Sequence, residues 1–135
     1  MMIKMELDDQ TPLDAADVRA TLTSQMSDEH VIVYLVHDNG TELAIGFRDG
    51  RGVCLWQICG DDPAVTTGGT NDDVIVYGWS EIPVPAGAEL DAETVIEAAE
   101  EFAKTGTRPT GVQWRPYGVE AFPLERSPGD DLGLR

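Results

Sequence analysis

Ser80 and Glu81 stand where VIVYGWSEIPVP, residues 74 to 85, passes from an apolar run to a pair of prolines. A serine beside a carboxylate at a strand end suits nucleophilic catalysis, which needs a base within reach and a turn that exposes the hydroxyl. Neither is present in the sequence. A nucleophile elbow puts glycine two residues after the serine, whereas Ile82 and then Pro83 follow here. Ser24, Ser27 and Ser127 lie away from predicted strand ends. His30 and His37 are seven apart in one predicted strand, hence on opposite faces, and the two cysteines fall in another strand, so no metal ligand set forms. His37 is expected opposite Glu42 on a hairpin. Cys54 and Cys59, five apart, point to opposite faces and read as buried, unbridged thiols. Gly68-Gly69 lacks both phosphate-loop patterns and is followed by Asp72 and Asp73, which would repel a phosphate. The many other acids show no spacing diagnostic of a paired-carboxylate enzyme. The residues predict no catalytic, cofactor-binding or metal-binding site.

The elements that would position these residues start with MIKMEL, residues 2 to 7, a short strand. Thr11, Pro12 and Asp14 are helix-start residues and predict a helix over about 12–26, with Ala15, Val18, Leu22 and Met26 as a narrow buried stripe. Asn39-Gly40 and Asp49-Gly50 are two-residue hairpin signals and predict a three-strand meander over 30–59. A two-residue turn at Asn39-Gly40 sets Val36 opposite Leu43, Tyr34 opposite Ile45 and Ile32 opposite Phe47, one wholly apolar face. A two-residue turn at Asp49-Gly50 carries that face onto Cys54, Trp56 and Ile58; a three-residue turn would carry it onto Val53, Leu55 and Gln57. GDDPAVTTGGTNDD, residues 60 to 73, reads as an exposed loop, and VIVYGW, residues 74 to 79, as the fourth strand of the same sheet.

Leu90 before Asp91, with Val95 beyond, is a hydrophobic staple that opens a helix over about 92–105, closed by Gly106. Val95, Ala98, Ala99 and Phe102 form its buried stripe; Glu93, Glu97, Glu100 and Glu101 face water, with Glu100 and Lys104 as a favourable pair. VQW, residues 112 to 114, is a last short strand. The sum is an α+β domain over 1–123, an antiparallel sheet of about five to six strands with two helices packed mainly on one face, followed by a polar tail at 124–135.

Composition sets the class of partner. The 135 residues hold 25 Asp plus Glu against 9 Lys plus Arg, a formal net charge of −16, yet 41% are hydrophobic, enough for one core. Such a charge disfavours nucleic acids and anionic membranes and attracts basic proteins. The N-terminus carries acids where a secretory signal needs an apolar core, and VIVYLV is far too short to span a membrane, so a cytoplasmic protein is expected. Asp61, Asp62, Asp72, Asp73, Trp79 and Glu81 are the candidate partner contacts, acids flanking an aromatic near strand ends. Trp79 is either a core or rim residue or an anchor offered to a partner, and its exposure decides between them.

The second half also resembles a known family. DGRGVCLW (49 to 56), WSEIPVP (79 to 85) and EEFAKTGTRPTGVQW (100 to 114) occur in an order and spacing similar to those of immunity proteins of polymorphic-toxin systems, specifically the actinobacterial class paired with deaminase-type toxins. The resemblance rests on Asp49, Gly50, Gly52 and Trp56, on Glu81, Pro83 and Pro85, and on Thr105, Gly106, Arg108, Pro109 and Trp114. It covers about residues 31 to 115 and departs from the family pattern in the loop at 60–73. It implies a cytoplasmic, non-enzymatic inhibitor that binds a cognate toxin domain and blocks its active site or substrate channel. The alternative is a small ligand-binding or enzymatic domain with a pocket between the sheet and the second helix.

Overall fold

Turn chemistry builds the centre of the fold. β3 (Val31–His37), β4 (Glu42–Arg48) and β5 (Arg51–Trp56) form the expected antiparallel meander. Asp49 and Gly50 both take positive φ, 53° and 81°, and the two-residue turn pairs Arg48 with Arg51, Ile45 with Cys54 and Leu43 with Trp56. The first hairpin differs from expectation by one residue. Its loop is the three residues Asp38, Asn39 and Gly40, with Gly40 alone at positive φ (94°) and the His37 N–H bonded to the Thr41 carbonyl at 2.9 Å. The Asn39 side chain selects this loop: its Oδ1 accepts from the Thr41 N–H (3.0 Å) and hydroxyl (2.6 Å), and its Nδ2 donates to the Gly106 carbonyl (3.1 Å). Val36 therefore meets Glu42, Leu35 meets Leu43 and Val33 meets Ile45, and every β3 side chain is on the opposite face from the one expected. His37 loses its expected partner Glu42 and pairs with Thr41.

The structure is a computed structural model describing residues 3–26, 31–58, 60 and 62–118; His30, Cys59, Asp61 and the expected tail lie outside these. β1 (Ile3–Leu7) joins β3, and β2 (Pro12–Leu13) joins β1. Pro12 thus belongs to a strand, and the first helix, α1 (Val18–Gln25), starts later than expected, capped by the Asp17 carboxylate on the Ala20 N–H at 3.1 Å. The region expected to be loop contains β6 (Ala64–Thr67), which pairs with β5 and with β10 (Gln113–Pro116). Thr66 fits there because its buried hydroxyl accepts from the Cys54 N–H (3.2 Å) and donates to the Ala88 carbonyl (2.8 Å). β7 (Ile75–Tyr77) is not the fourth strand of this sheet; it pairs with β8 (Ile82–Val84) in a separate two-stranded sheet. β9 (Leu90–Asp91) pairs with β5 and leads into the second helix, α2 (Ala92–Thr105).

The main sheet runs β10-β6-β5-β4-β3-β1-β2 with β9 at the side, eight antiparallel strands. Both helices cover one face, so the domain is α+β as expected, with more strands. On that face Leu22 of α1 and Val95, Ala98, Ala99 and Phe102 of α2 pack against Met5, Val33, Leu35, Leu43, Ile45, Phe47 and Cys54. Arg19 bridges the helices, bonding Glu93 (2.9 Å) and Glu100 (3.0 and 3.2 Å), so Glu100 is engaged by α1 and not by Lys104. On the other face Ile32, Ala44, Val53, Leu55 and Val65 are covered by Tyr77, Val84 and Ala88, and Ile58, expected on the same face as Cys54 and Trp56, packs here instead.

Candidate functional site

The strands of the small sheet pass over the second face, and their side chains divide cleanly. Tyr77 points inward and is fully buried; Val74 and Val76 point outward, 45% and 47% exposed, and Pro83, opposite Val76, is exposed as well. The four apolar residues of VIVY concealed this alternation in the sequence, because a run with no polar position shows no period. At the turn, residues 78–81, Trp79 is 78% exposed. The choice between core and surface is thereby decided: Trp79 faces solvent.

The hairpin is pinned at several points. The Asp8 carboxylate accepts from the Ser80 N–H (2.8 Å) and hydroxyl (2.9 Å), so the serine met first in the sequence fixes a turn. Gly78, at φ 80°, lets the turn close on Asp8 and Ile32, where an added Cβ would fall 2.4 Å from the carboxylate and 2.9 Å from the isoleucine. The Tyr117 hydroxyl donates to the Pro83 carbonyl (2.7 Å), and the Asn71 amide donates to the Asp73 and Pro85 carbonyls (both 2.9 Å).

Beneath the hairpin lies a buried polar network that sequence reasoning missed. Glu89 is fully buried, accepts from Arg48 Nε (2.8 Å) and Nη2 (2.6 Å), and receives a short hydrogen bond from the Tyr77 hydroxyl. Burial alone would raise the Glu89 carboxyl, but hydrogen bonds from Arg48 and Tyr77, with the Arg48 and Arg51 charges, hold it below the ordinary carboxylate value. Burial, reinforced by Glu89, pushes the Tyr77 phenol up. An acid just before a helix gives no sign in sequence that it is buried; only the tertiary approach of Arg48 does.

The candidate contacts fall in two places. Asp72 and Asp73 precede β7 and Glu81 follows Trp79, all exposed, so four of the six candidate contacts gather on the hairpin. Asp62 lines a different feature, a concavity of about 510 Å³ with Val36, Glu42, Trp56 and Gln57, toward the opposite end of β3 from Ile32. Asp61 is outside the described residues. Burial, with the Glu6 charge, raises the Glu42 carboxyl. Under the middle of the second helix, where a pocket against the sheet is expected, Val95, Ala99 and Phe102 are fully buried, and smaller concavities of about 230 and 170 Å³ lie at the helix margins, beside Leu90 and Thr94 and beside Glu101 and Val112. His37 is buried, its ring edge-on to Phe102 at 5.9 Å and its Nδ1 accepting from the Asn39 N–H at 3.1 Å. Cys54 is a buried thiol, as read from the sequence, and burial pushes its pKa up. Among the described residues no three His, Cys, Asp or Glu side chains gather to hold a metal ion, and no helix is long and apolar enough to cross a membrane.

No curated protein sequence matches the chain. The family model of the immunity protein Imm1 matches residues 9–116, a span that begins before β2 and so takes in α1, which the motif resemblance had left out. The chain belongs to the Imm1 immunity protein family, and its function is immunity against a toxin.

Proposed function

We propose that the protein neutralises a deaminase-type toxin domain of a polymorphic-toxin system of the actinobacterial class. It acts in the cytoplasm, by binding, with no catalysis of its own. The family match over residues 9–116 supports the immunity part of this reading. The net charge of −16 supports it, because a nucleic-acid deaminase needs a basic substrate surface and a strongly acidic protein is drawn to one. Binding covers the active site or the channel that leads to it. Asp61, Asp62, Asp72, Asp73 and Glu81 supply the attraction, and Trp79 supplies a large apolar contact.

The test is co-expression with the toxin-domain gene adjacent to this one. The expected outcome is restored growth, a stoichiometric complex on co-purification, and loss of base deamination on single-stranded substrate at equimolar inhibitor. No complex and no rescue would remove the immunity reading for that pair. Rescue from a toxin of different chemistry would keep immunity and remove the deaminase.

A further inference from the structure

We infer that the outer face of the β7–β8 hairpin is the docking element, and that it takes an apolar cleft on the toxin domain rimmed by arginine and lysine side chains. This rests on the toxin-binding reading and assigns it a surface. Four large hydrophobic side chains are conspicuously exposed among the described residues, Met26, Val74, Val76 and Trp79, and three of them belong to this one hairpin. Val74, just before β7, and Val76 within it are both exposed, Pro83 stands across from Val76 on β8, and Trp79 extends the strip at the turn. A strip of aliphatic side chains ending in an indole is the composition of an interface centre, where Trp supplies large contact area at a small entropic cost. Exposed acids border it, with Asp72 and Asp73 at one end and Glu81 at the other. A partner whose cleft is apolar inside and basic outside matches both parts, and the acids exclude partners with an acidic rim.

The way the hairpin is held supports the assignment. Tyr77 on Glu89, Tyr117 on the Pro83 carbonyl and Ser80 on Asp8 fix it from three sides, and among the described residues Val74, Val76 and Trp79 stay exposed on its apolar face. An element held in one conformation loses little freedom on binding, so more of the contact energy appears as affinity.

The experiment measures binding to the adjacent toxin domain by the wild-type protein, Trp79→Ala, the double variant Val74→Ser and Val76→Ser, and Glu97→Gln on the helix side as a control, each first checked for an unchanged thermal transition. The Trp79→Ala affinity is expected to fall about thirtyfold or more and the serine pair about tenfold, with the control unchanged. Amide exchange across 74–83 in the wild-type complex should slow, a readout independent of any variant. Wild-type affinity in both hairpin variants with no protection at 74–83 overturns the docking surface while leaving immunity intact. Failure of the wild-type protein to bind removes both.

Discussion

On the helix side of the sheet, α1 and α2 close over hydrocarbon: Leu22, Val95, Ala99 and Phe102 against Val33, Leu35, Ile45 and Phe47. On the other side a two-stranded hairpin covers the sheet and is tied down through a buried carboxylate, Glu89, shared by Arg48 and Tyr77. The first cover ends in charged side chains facing water, such as Arg19 with Glu93 and Glu100. The second ends in Val74, Val76 and Trp79. A purely apolar interface tolerates small shifts of its members, whereas a forked guanidinium and a phenol on one carboxylate fix position and angle. The face that carries the inferred docking strip is the one whose cover is held by directional bonds.

Several measurements would break or sharpen that contrast. Phe102→Ala, which also removes edge contacts to His37 and Trp56, should lose about 3–5 kcal/mol in urea denaturation and destabilise the domain as a whole. Glu89→Ala should lose about 3 kcal/mol by leaving Arg48 and Tyr77 without their acceptor, and amide exchange should rise first in β7 and β8. If α2 opens as early as the hairpin, the two covers are not independent. Tyr77→Phe removes one of the donors to Glu89 and should lose about 1–2 kcal/mol.

Acid separates two carboxyls by sign. The folded Glu89 carboxyl lies below its unfolded value near 4.5, so its stabilisation is complete above that pH and is lost as pH falls through the folded value; Glu89→Gln should abolish this part of the acid sensitivity. Glu42 is raised, so its contribution is full below 4.5 and is lost as pH rises through the folded value; Glu42→Gln should stabilise the neutral protein slightly. The smallest effect belongs to Arg19→Ala, a slight loss in low salt that vanishes in high salt, since both ion pairs are open to water.

What could be read from the sequence followed strictly local signals. The bounds of the second helix were legible to the residue, because its stripe lies within it and its staple at Leu90 and its stop at Gly106 lie immediately beside it. So was the turn at Asp49-Gly50, whose φ values need no outside help. The turn at Asn39-Gly40 was misread because the Asn39 amide bonds to Gly106, a residue 67 positions away. β6 was hidden because Ala64 and Thr66 look like loop residues until the Thr66 hydroxyl finds Cys54 and Ala88. At the candidate site, Trp79 and Glu81 were marked by the break in the apolar run, while Val74 and Val76 looked like core. Whether an apolar side chain of a hairpin faces in or out depends on what lies beneath it, and here that is Glu89.

The exposure of Trp79 also makes it a spectroscopic label already in place. The chain has three tryptophans, and of these Trp56 and Trp114 are partly buried against the helix-side core while Trp79 is in water. An indole in water emits at longer wavelength than one enclosed in protein, so a complex that covers the hairpin should shift the emission to the blue. Unfolding of the free protein should leave that one fluorophore nearly unchanged. Binding and denaturation are then separable in a single unlabelled sample, with Trp79→Phe supplying the baseline.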